Sequence, residues 1–242
     1  MIELKTQQLG EHEILHAFPA GLGEQQLPVV IFYHGFTSSK LVYSYFAVAL
    51  AQAGFRVVMP DAPEHGSRFS GDETARLGHL WQILRGSLGE FAGLRDALYQ
   101  AGLVDGERLA VAGASMGGMT ALGIMARHPE VKCVASLMGS GYFTTLSQTL
   151  FPPQAQDIEA VQATLADWDV THALGHLADR PLLLWHGEAD DVVPAAETLR
   201  LQQALVRQGL DSHLTCLWEA GVRHRITPTA LDATTAFFRQ HL

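Results

Sequence analysis

A serine occupies a place where a chain can turn it into a nucleophile, within Gly113-Ala114-Ser115-Met116-Gly117. The mostly apolar run Arg108-Leu109-Ala110-Val111-Ala112 precedes it, and a helix-forming run, Met119 to His128, follows. Strand, G-x-S-x-G, helix puts the serine on a sharp turn with its hydroxyl clear of both elements. Strand and helix approach closely there, and a Cβ at either flanking glycine would collide with neighbouring backbone. The first turn of the helix adds unpaired N–H groups and a partial positive charge, which favour an oxyanion beside Ser115. A serine hydroxyl is a poor nucleophile near neutral pH, so the chemistry also needs a base and an acid to orient that base.

The elements that must position these groups alternate. Residues 3–17 suggest an edge hairpin. Val29-Val30-Ile31-Phe32-Tyr33 is a continuous β-branched and aromatic run, the mark of a strand buried on both faces. A helix is expected over Leu41 to Ala53, ended by Gly54, and a strand over Phe55 to Met59, stopped by Pro60. After the loop from Asp61 to Gly71, residues 74–101 read as a helix with interruptions near Gly86 and Gly89. Strands follow at 108–112, at Val131 to Met138, at Leu182 to Trp185 and at His213 to Trp218. Residues 195–208 and Thr229 to Leu242 read as helices. This pattern predicts an α/β fold, with a mostly parallel sheet of about eight strands and helices on both faces. No internal repeat or linker stands out, so a single domain over 1–242 is expected. Residues 139–175 break the rhythm with Gly139, Gly141, Pro152, Pro153 and a helix expected from Asp157 to Trp168, and they read as a short cap insertion.

In such a sheet the active site forms beyond the carboxyl ends of the strands. This filters the 12 histidines and the many acids. The turn after the strand 182–185 holds Glu188, Asp190 and Asp191, and Pro194 then opens a helix. The strand ending at Trp218 leads to Gly221-Val222-Arg223-His224-Arg225. His34 and His186 end buried strands and read as loop braces, as does His65. His79, His128, His172, His176, His213 and His241 fall away from the nucleophile turn, and His12 and His16 belong to the N-terminal edge. The chain order Ser115, Asp190, His224 results.

That order and five motifs carry a family resemblance: His34-Gly35-Phe36, Asp61 to Ser67, Gly113 to Gly118, His186 to Pro194, and Gly221 to His224. The chain resembles the serine esterases of the α/β-hydrolase superfamily. Within them it is similar to the dienelactone-hydrolase and prolyl-oligopeptidase-like branch, including small bacterial carboxylesterases of the YjfP type. The resemblance covers about the whole chain. It implies an α/β-hydrolase fold and hydrolysis of a small-molecule carboxylic ester, with short-chain acyl esters expected. A peptidase or thioesterase with the same triad, or a non-catalytic binding protein on this fold, are the alternatives. Dienelactone hydrolases proper carry cysteine at the nucleophile, so Ser115 argues for ordinary ester hydrolysis. His65-Gly66-Ser67 matches the family's H-G-x-S loop loosely, because Glu64 replaces a small residue.

The implied roles are Ser115 as nucleophile, His224 as base and Asp190 as the orienting acid, with an acyl-enzyme intermediate. Asp191 is the fallback acid and reads otherwise as a helix-start carboxylate. The backbone N–H groups of Met116 and Phe36 are the expected oxyanion donors. Phe36, Met116, Tyr142, Phe143, Phe151 and Trp168 are the candidates for an apolar substrate pocket. Arg223 and Arg225 flank the base and read as solvated or acid-paired side chains. No cofactor or metal is implied, because no residue cluster has metal-ligand spacing.

Composition narrows the remaining options. Hydrophobic residues make up 48% and charged residues 17% of the 242, as in ordinary globular proteins. A net charge of −9 with scattered Lys and Arg argues against nucleic-acid or anionic-membrane surfaces. Cys133 and Cys216 sit in apolar stretches read as strands and look like buried, unpaired thiols. No basic segment leads into an apolar core at Met1 to Gly10, and no apolar stretch approaches the roughly 18–20 residues that span a bilayer. A cytoplasmic location is expected. Oligomeric state is not legible.

Overall fold

In a computed structural model the structure describes residues 1–69 and 71–242. Eight strands form one sheet in the order β1-β2-β4-β3-β5-β6-β7-β8. The strands are β1 (Ile2–Leu9), β2 (His12–Pro19), β3 (Leu27–Tyr33), β4 (Arg56–Pro60), β5 (Val104–Ala114), β6 (Val134–Leu137), β7 (Leu182–Gly187) and β8 (Leu214–Glu219). The β1–β2 hairpin is antiparallel and β2 lies antiparallel to β4; every other pairing is parallel.

Alternation along the strands explains why both faces are covered. Val29, Ile31, Val111, Val134 and Leu184 enter one apolar cluster, whereas Val30, Phe32, Ala112, Ala135 and Trp185 enter another across the sheet. Helix α1 (Ser44–Gln52) and the last helix, α9 (Pro228–His241), cover the second cluster. The first is covered by α3 (Leu80–Gln100), α4 (Met116–Arg127) and α8 (Ala195–Arg207). Residues at neighbouring positions of a strand point to opposite faces, so continuous apolar runs are what a doubly covered parallel sheet requires.

Several boundaries differ from the sequence expectation. The expected breaks near Gly86 and Gly89 are absent: α3 runs unbroken, and the chain instead breaks at Gly78-His79, after the short α2 (Glu73–Leu77). Trp81, Leu84, Leu88, Phe91 and Leu98 form one buried stripe that holds α3 together. Gly86 is there for space, since a Cβ would come within 2.8 Å of the Pro63 side chain. β5 begins four residues before the apolar run, because Val104 pairs with Leu27 although Asp105-Gly106-Glu107 carry no apolar signal. β6 is shorter than the expected 131–138, and α1 starts at Ser44 rather than Leu41. Within 139–175 lie α5 (Phe143–Leu146), α6 (Ile158–Ala166) and the start of α7 (Leu174–Ala178). Cys133 is buried just before β6, and Cys216, on β8, is only half-buried.

The strand order fixes where chemistry can occur. From β3 the chain crosses through α1 to β4 on one side, and then through α3 to β5 on the other. Ligands bind in α/β sheets where successive connections leave in opposite directions, beyond the carboxyl ends of the strands. Here that crevice lies between the ends of β3 and β5, which are Tyr33 and Ala114.

Candidate active site

Ser115 follows β5 directly and adopts φ 58° and ψ −119°, a left-handed conformation that costs a side-chain-bearing residue about 1–3 kcal/mol. The packing around it over-determines that strain. A Cβ on Gly113 would lie 2.2 Å from the Gly117 carbonyl oxygen, and one on Gly117 would lie 2.0 Å from that of Tyr33. The Ser115 N–H donates to the Leu137 carbonyl at 2.8 Å, tying the turn to β6. The amino end of α4 is thereby wedged against the end of β3.

The acid and base arrive on the turns after β7 and β8, which are stitched together. Ala189 N–H donates to the Val222 carbonyl and Glu188 N–H to that of Glu219, both at 3.0 Å. His224 Nε2 lies 2.8 Å from Ser115 Oγ, and His224 Nδ1 lies 2.8 Å from Asp190 Oδ2. The Asp190 side chain is fully buried. Its Oδ1 accepts from the Val192 and Val193 N–H groups at 2.9 and 3.0 Å, and its Oδ2 also lies 3.1 Å from His186 Nε2. Burial alone would raise this carboxyl, but the hydrogen bonds from His186, His224 and Val192 outweigh it and hold it far below the usual carboxylate range. An ionised Asp190 can only accept, so His224 Nδ1 carries its proton. The lone pair of Nε2 therefore faces the serine hydroxyl.

His186 keeps the acid turn in shape. Its Nε2–H points at the Val193 carbonyl at 2.9 Å, so its Nδ1 accepts from the Thr198 hydroxyl at 2.7 Å. Asp191 takes a different direction and pairs with Arg223 in solvent.

The loop after β3 lies against the serine: a Cβ on Gly35 would sit 3.5 Å from Ser115 Cβ. Among the described residues neither the Phe36 nor the Met116 N–H has an acceptor in the protein, and Met116 is the first residue of α4. Two histidines brace this loop against the one after β4. His34 Nδ1–H donates to the Gly35 carbonyl at 2.8 Å while Nε2 accepts from Ala62 N–H at 3.0 Å. His65 Nδ1–H donates to the Pro63 carbonyl at 2.8 Å while Nε2 accepts from Thr37 N–H at 2.9 Å. Burial lowers the His34 imidazole to about 4 and also lowers that of His65, so both accept as neutral rings.

Sequence reading missed the anchor of this brace. Lys40 and Asp61 form a buried ion pair, and Asp61 also accepts from the Lys40 and Ser67 N–H groups at 2.8 and 3.0 Å. Burial opposes ionisation of Asp61, but the bonds from Lys40 and Ser67 outweigh it and lower its carboxyl. The available signals were the position of Asp61 just after β4 and its place at the head of the Asp61 to Ser67 motif.

The expected pocket residues do not all gather here. Phe36 and Phe151 meet edge to face at 5.3 Å, and Phe36 also contacts the His65 ring. Tyr142 is buried under the Arg200 guanidinium at 3.8 Å. Met116 and Phe143 point into the apolar core, the latter against Trp81. Trp168 lies at the wrong end of α4, against Arg127 and His128. α4 has 12 residues, about 18 Å, and Ser115 caps its opposite end. Phe143, Trp168 and the Met116 side chain are therefore removed from the pocket.

A doubly covered parallel sheet with a strained serine turn at its switch point, contacting histidine and aspartate from the last two strand ends, defines an α/β-hydrolase. The chain belongs to the prolyl oligopeptidase family, whose model matches residues 42–242, and it is a hydrolase. It is 61% identical to Esterase YjfP of Escherichia coli (strain K12) and 33% identical to YitV of Bacillus subtilis (strain 168), each over the full length of both chains. Among solved structures, TT1662 from Thermus thermophilus shares the fold with a TM-score of 0.82 at 24% identity, over 99% of this chain and 98% of that one.

Proposed function

We propose that this hydrolase is a carboxylesterase that cleaves short-chain acyl esters of small molecules, with Ser115, His224 and Asp190 as its catalytic triad. The observation that carries the reading is the unbroken Oγ–imidazole–carboxylate contact, 2.8 Å at each step, with the acid held ionised. Ser115 Oγ attacks the ester carbonyl carbon as His224 Nε2 takes its proton, and Asp190 stabilises the imidazolium. The N–H groups of Phe36 and Met116 receive the oxyanion; one such donor is worth roughly 3–4 kcal/mol. His224 then protonates the leaving alcohol, an acyl-enzyme remains on Ser115, and water deacylates it by the same route. The name of the 61% identical relative supports an ester as substrate.

Phe36 and Phe151 form the wall for the acyl group in this reading, and residues 139–175 act as its cap. Short acyl groups suit a cap this small. No metal, cofactor or nucleic acid enters the mechanism. No helix among the described residues is long and apolar enough to cross a membrane. Burial pushes the Cys133 thiol up to about 12 and the Cys216 thiol up to about 11, so neither is a reactive thiolate, and a cytoplasmic location is part of this reading. The family match favours a second reading, amide hydrolysis by the same three residues.

Labelling with a fluorophosphonate followed by peptide mapping tests the nucleophile. Modification is expected on Ser115, and modification elsewhere rejects the assignment. Turnover of p-nitrophenyl esters of two to twelve carbons should fall with acyl length and exceed that of aminoacyl p-nitroanilides. A long-chain optimum refutes the short-acyl reading, and faster anilide cleavage refutes the esterase reading.

A further inference from the structure

Asp190 is saturated with donors. An ionised carboxylate offers about four lone-pair sites. Here Oδ1 takes the Val192 and Val193 N–H groups, and Oδ2 takes His224 Nδ1 at 2.8 Å and His186 Nε2 at 3.1 Å. The first three donors come with the turn itself and with the proposed base. The fourth needs a separate reason. His186 follows the apolar run Leu182-Leu183-Leu184-Trp185 in β7, and its side chain is completely buried. An imidazole in such a place gives up its hydration, a cost that an apolar residue avoids and that only well-formed hydrogen bonds offset.

The ring is held from behind. His186 Nδ1 lies 2.7 Å from Thr198 Oγ1 on α8, whereas the other neighbour of that hydroxyl, the Gly139 carbonyl, is 3.4 Å away. His186 Nε2 faces two acceptors, Asp190 Oδ2 and the Val193 carbonyl at 2.9 Å. Two acceptors at one nitrogen require a proton on it, and the Thr198 hydroxyl then donates to the other nitrogen. Thr198 is buried in turn, and the Trp218 ring stacks beside His186 at 6.3 Å. The Nε2–H is thus shared between a carbonyl of the acid turn and the oxygen that faces His224. Closing the turn needs only the first of these contacts; the second is made with the acid itself.

We infer that His186 is a positioning residue of the hydrolytic site, acting on His224 through the Asp190 oxygen they share, with Thr198 holding the ring in its donating tautomer. This rests on the proposed triad. The donated proton fixes the rotation of the carboxylate, so Oδ2 stays in line with His224 Nδ1. It also takes up part of the negative charge on Oδ2, which limits how strongly the carboxylate favours imidazolium over the neutral base. Without it, Oδ2 keeps an unfilled lone-pair site in a fully buried place, and His224 meets more negative charge. Among the described residues, the titratable groups in contact with the Asp190 carboxylate are His186 from β7 and His224 from the turn after β8. Close by, Asp191 pairs with Arg223 in solvent, and α8 contributes the uncharged Thr198 while its Glu197 accepts from Ser140.

His186→Gln and His186→Phe separate the hydrogen bond from the ring. Glutamine can bring an NH2 donor to the place of Nε2, whereas phenylalanine keeps the bulk and offers no donor. The assay is p-nitrophenyl acetate hydrolysis from pH 5 to 9, with kcat and KM separated, beside a circular-dichroism melt. His186→Phe is expected to lose about tenfold in kcat with KM retained, the pattern of an interaction made in the transition state. The acid limb of its kcat/KM profile should move up by about half a pH unit, because the less neutralised carboxylate favours imidazolium. His186→Gln should recover most of the rate and the parent's acid limb. Thr198→Val keeps the ring and weakens its donation, so it should show a smaller change in the same direction, and it decides the matter if His186→Phe does not fold. A folded His186→Phe protein with the parent's kcat and acid limb, a His186→Gln protein no better than His186→Phe, or a Thr198→Val protein identical to the parent overturns the inference. His224→Ala keeps the two readings apart: full turnover there rejects the triad, whereas its inactivity beside an unaffected His186→Phe rejects this inference alone.

Discussion

Replacing Asp190 by asparagine isolates the electrostatic part of the proposed triad from its shape. Oδ1 of Asp190 accepts from two backbone N–H groups, Val192 and Val193, whereas Oδ2 faces His224 Nδ1 and His186 Nε2. An asparagine cannot present its NH2 to two N–H donors, so its carbonyl oxygen keeps the Oδ1 position and its NH2 turns toward His224. That NH2 donates, and Nδ1 of His224 must then accept. The imidazole proton moves to Nε2 and points at Ser115 Oγ, where the lone pair is needed. The wrong tautomer costs about 10⁴ in kcat in Ser-His-Asp hydrolases, equivalent to about 5.5 kcal/mol of barrier. The assay is p-nitrophenyl acetate hydrolysis across pH 6 to 9, with kcat and KM separated and the thermal melt followed in parallel. A fall of about 10⁴ in kcat with KM and fold retained is expected. Asp191→Asn is the control, because Asp191 pairs with Arg223 in solvent and such pairs are worth about 0–1 kcal/mol. An Asp190→Asn protein within tenfold of the parent, or an Asp191→Asn protein that matches its loss, refutes the reasoning.

Three further outcomes follow from the loops around the serine. Lys40→Met leaves Asp61 buried without its ion partner; denaturant unfolding should show a loss of about 3–5 kcal/mol, with a lowered kcat as the Phe36 loop loosens. His34 has a folded value of about 4 against about 6.5 unfolded, so the unfolded chain binds more protons between those values. Its contribution to stability is thus complete above about 6.5 and is lost as pH falls from there toward 4; a melting series over that window should be steeper for the parent than for His34→Gln. Phe151→Ala should raise KM for p-nitrophenyl butyrate several-fold, whereas Trp168→Ala, at the far end of α4, should leave KM unchanged.

What could be read from the residues alone follows the range of the forces involved. A strand buried on both faces needs an unbroken apolar run, so the central strands announced themselves. The polar start of β5 did not, because its only reason to be extended is pairing with Leu27, a contact across 77 residues (104 − 27). Likewise, the elbow around Ser115 is local: its glycines answer clashes with the next turn and the next strand, and the spacing of five residues records them. The brace is different in kind. Lys40 and Asp61 are separated by 21 residues, and an ion pair between two loops imposes no spacing on either. The same holds for aromatic residues in 139–175. Composition says they pack against the body of the protein but not where, and only the path of the chain decides that Phe151 reaches Phe36 while Trp168 reaches Arg127. Chemistry that depends on one turn is therefore legible from the sequence. Where the aromatic residues of 139–175 pack depends on how that segment is draped over the helices, and the structure is needed to see it.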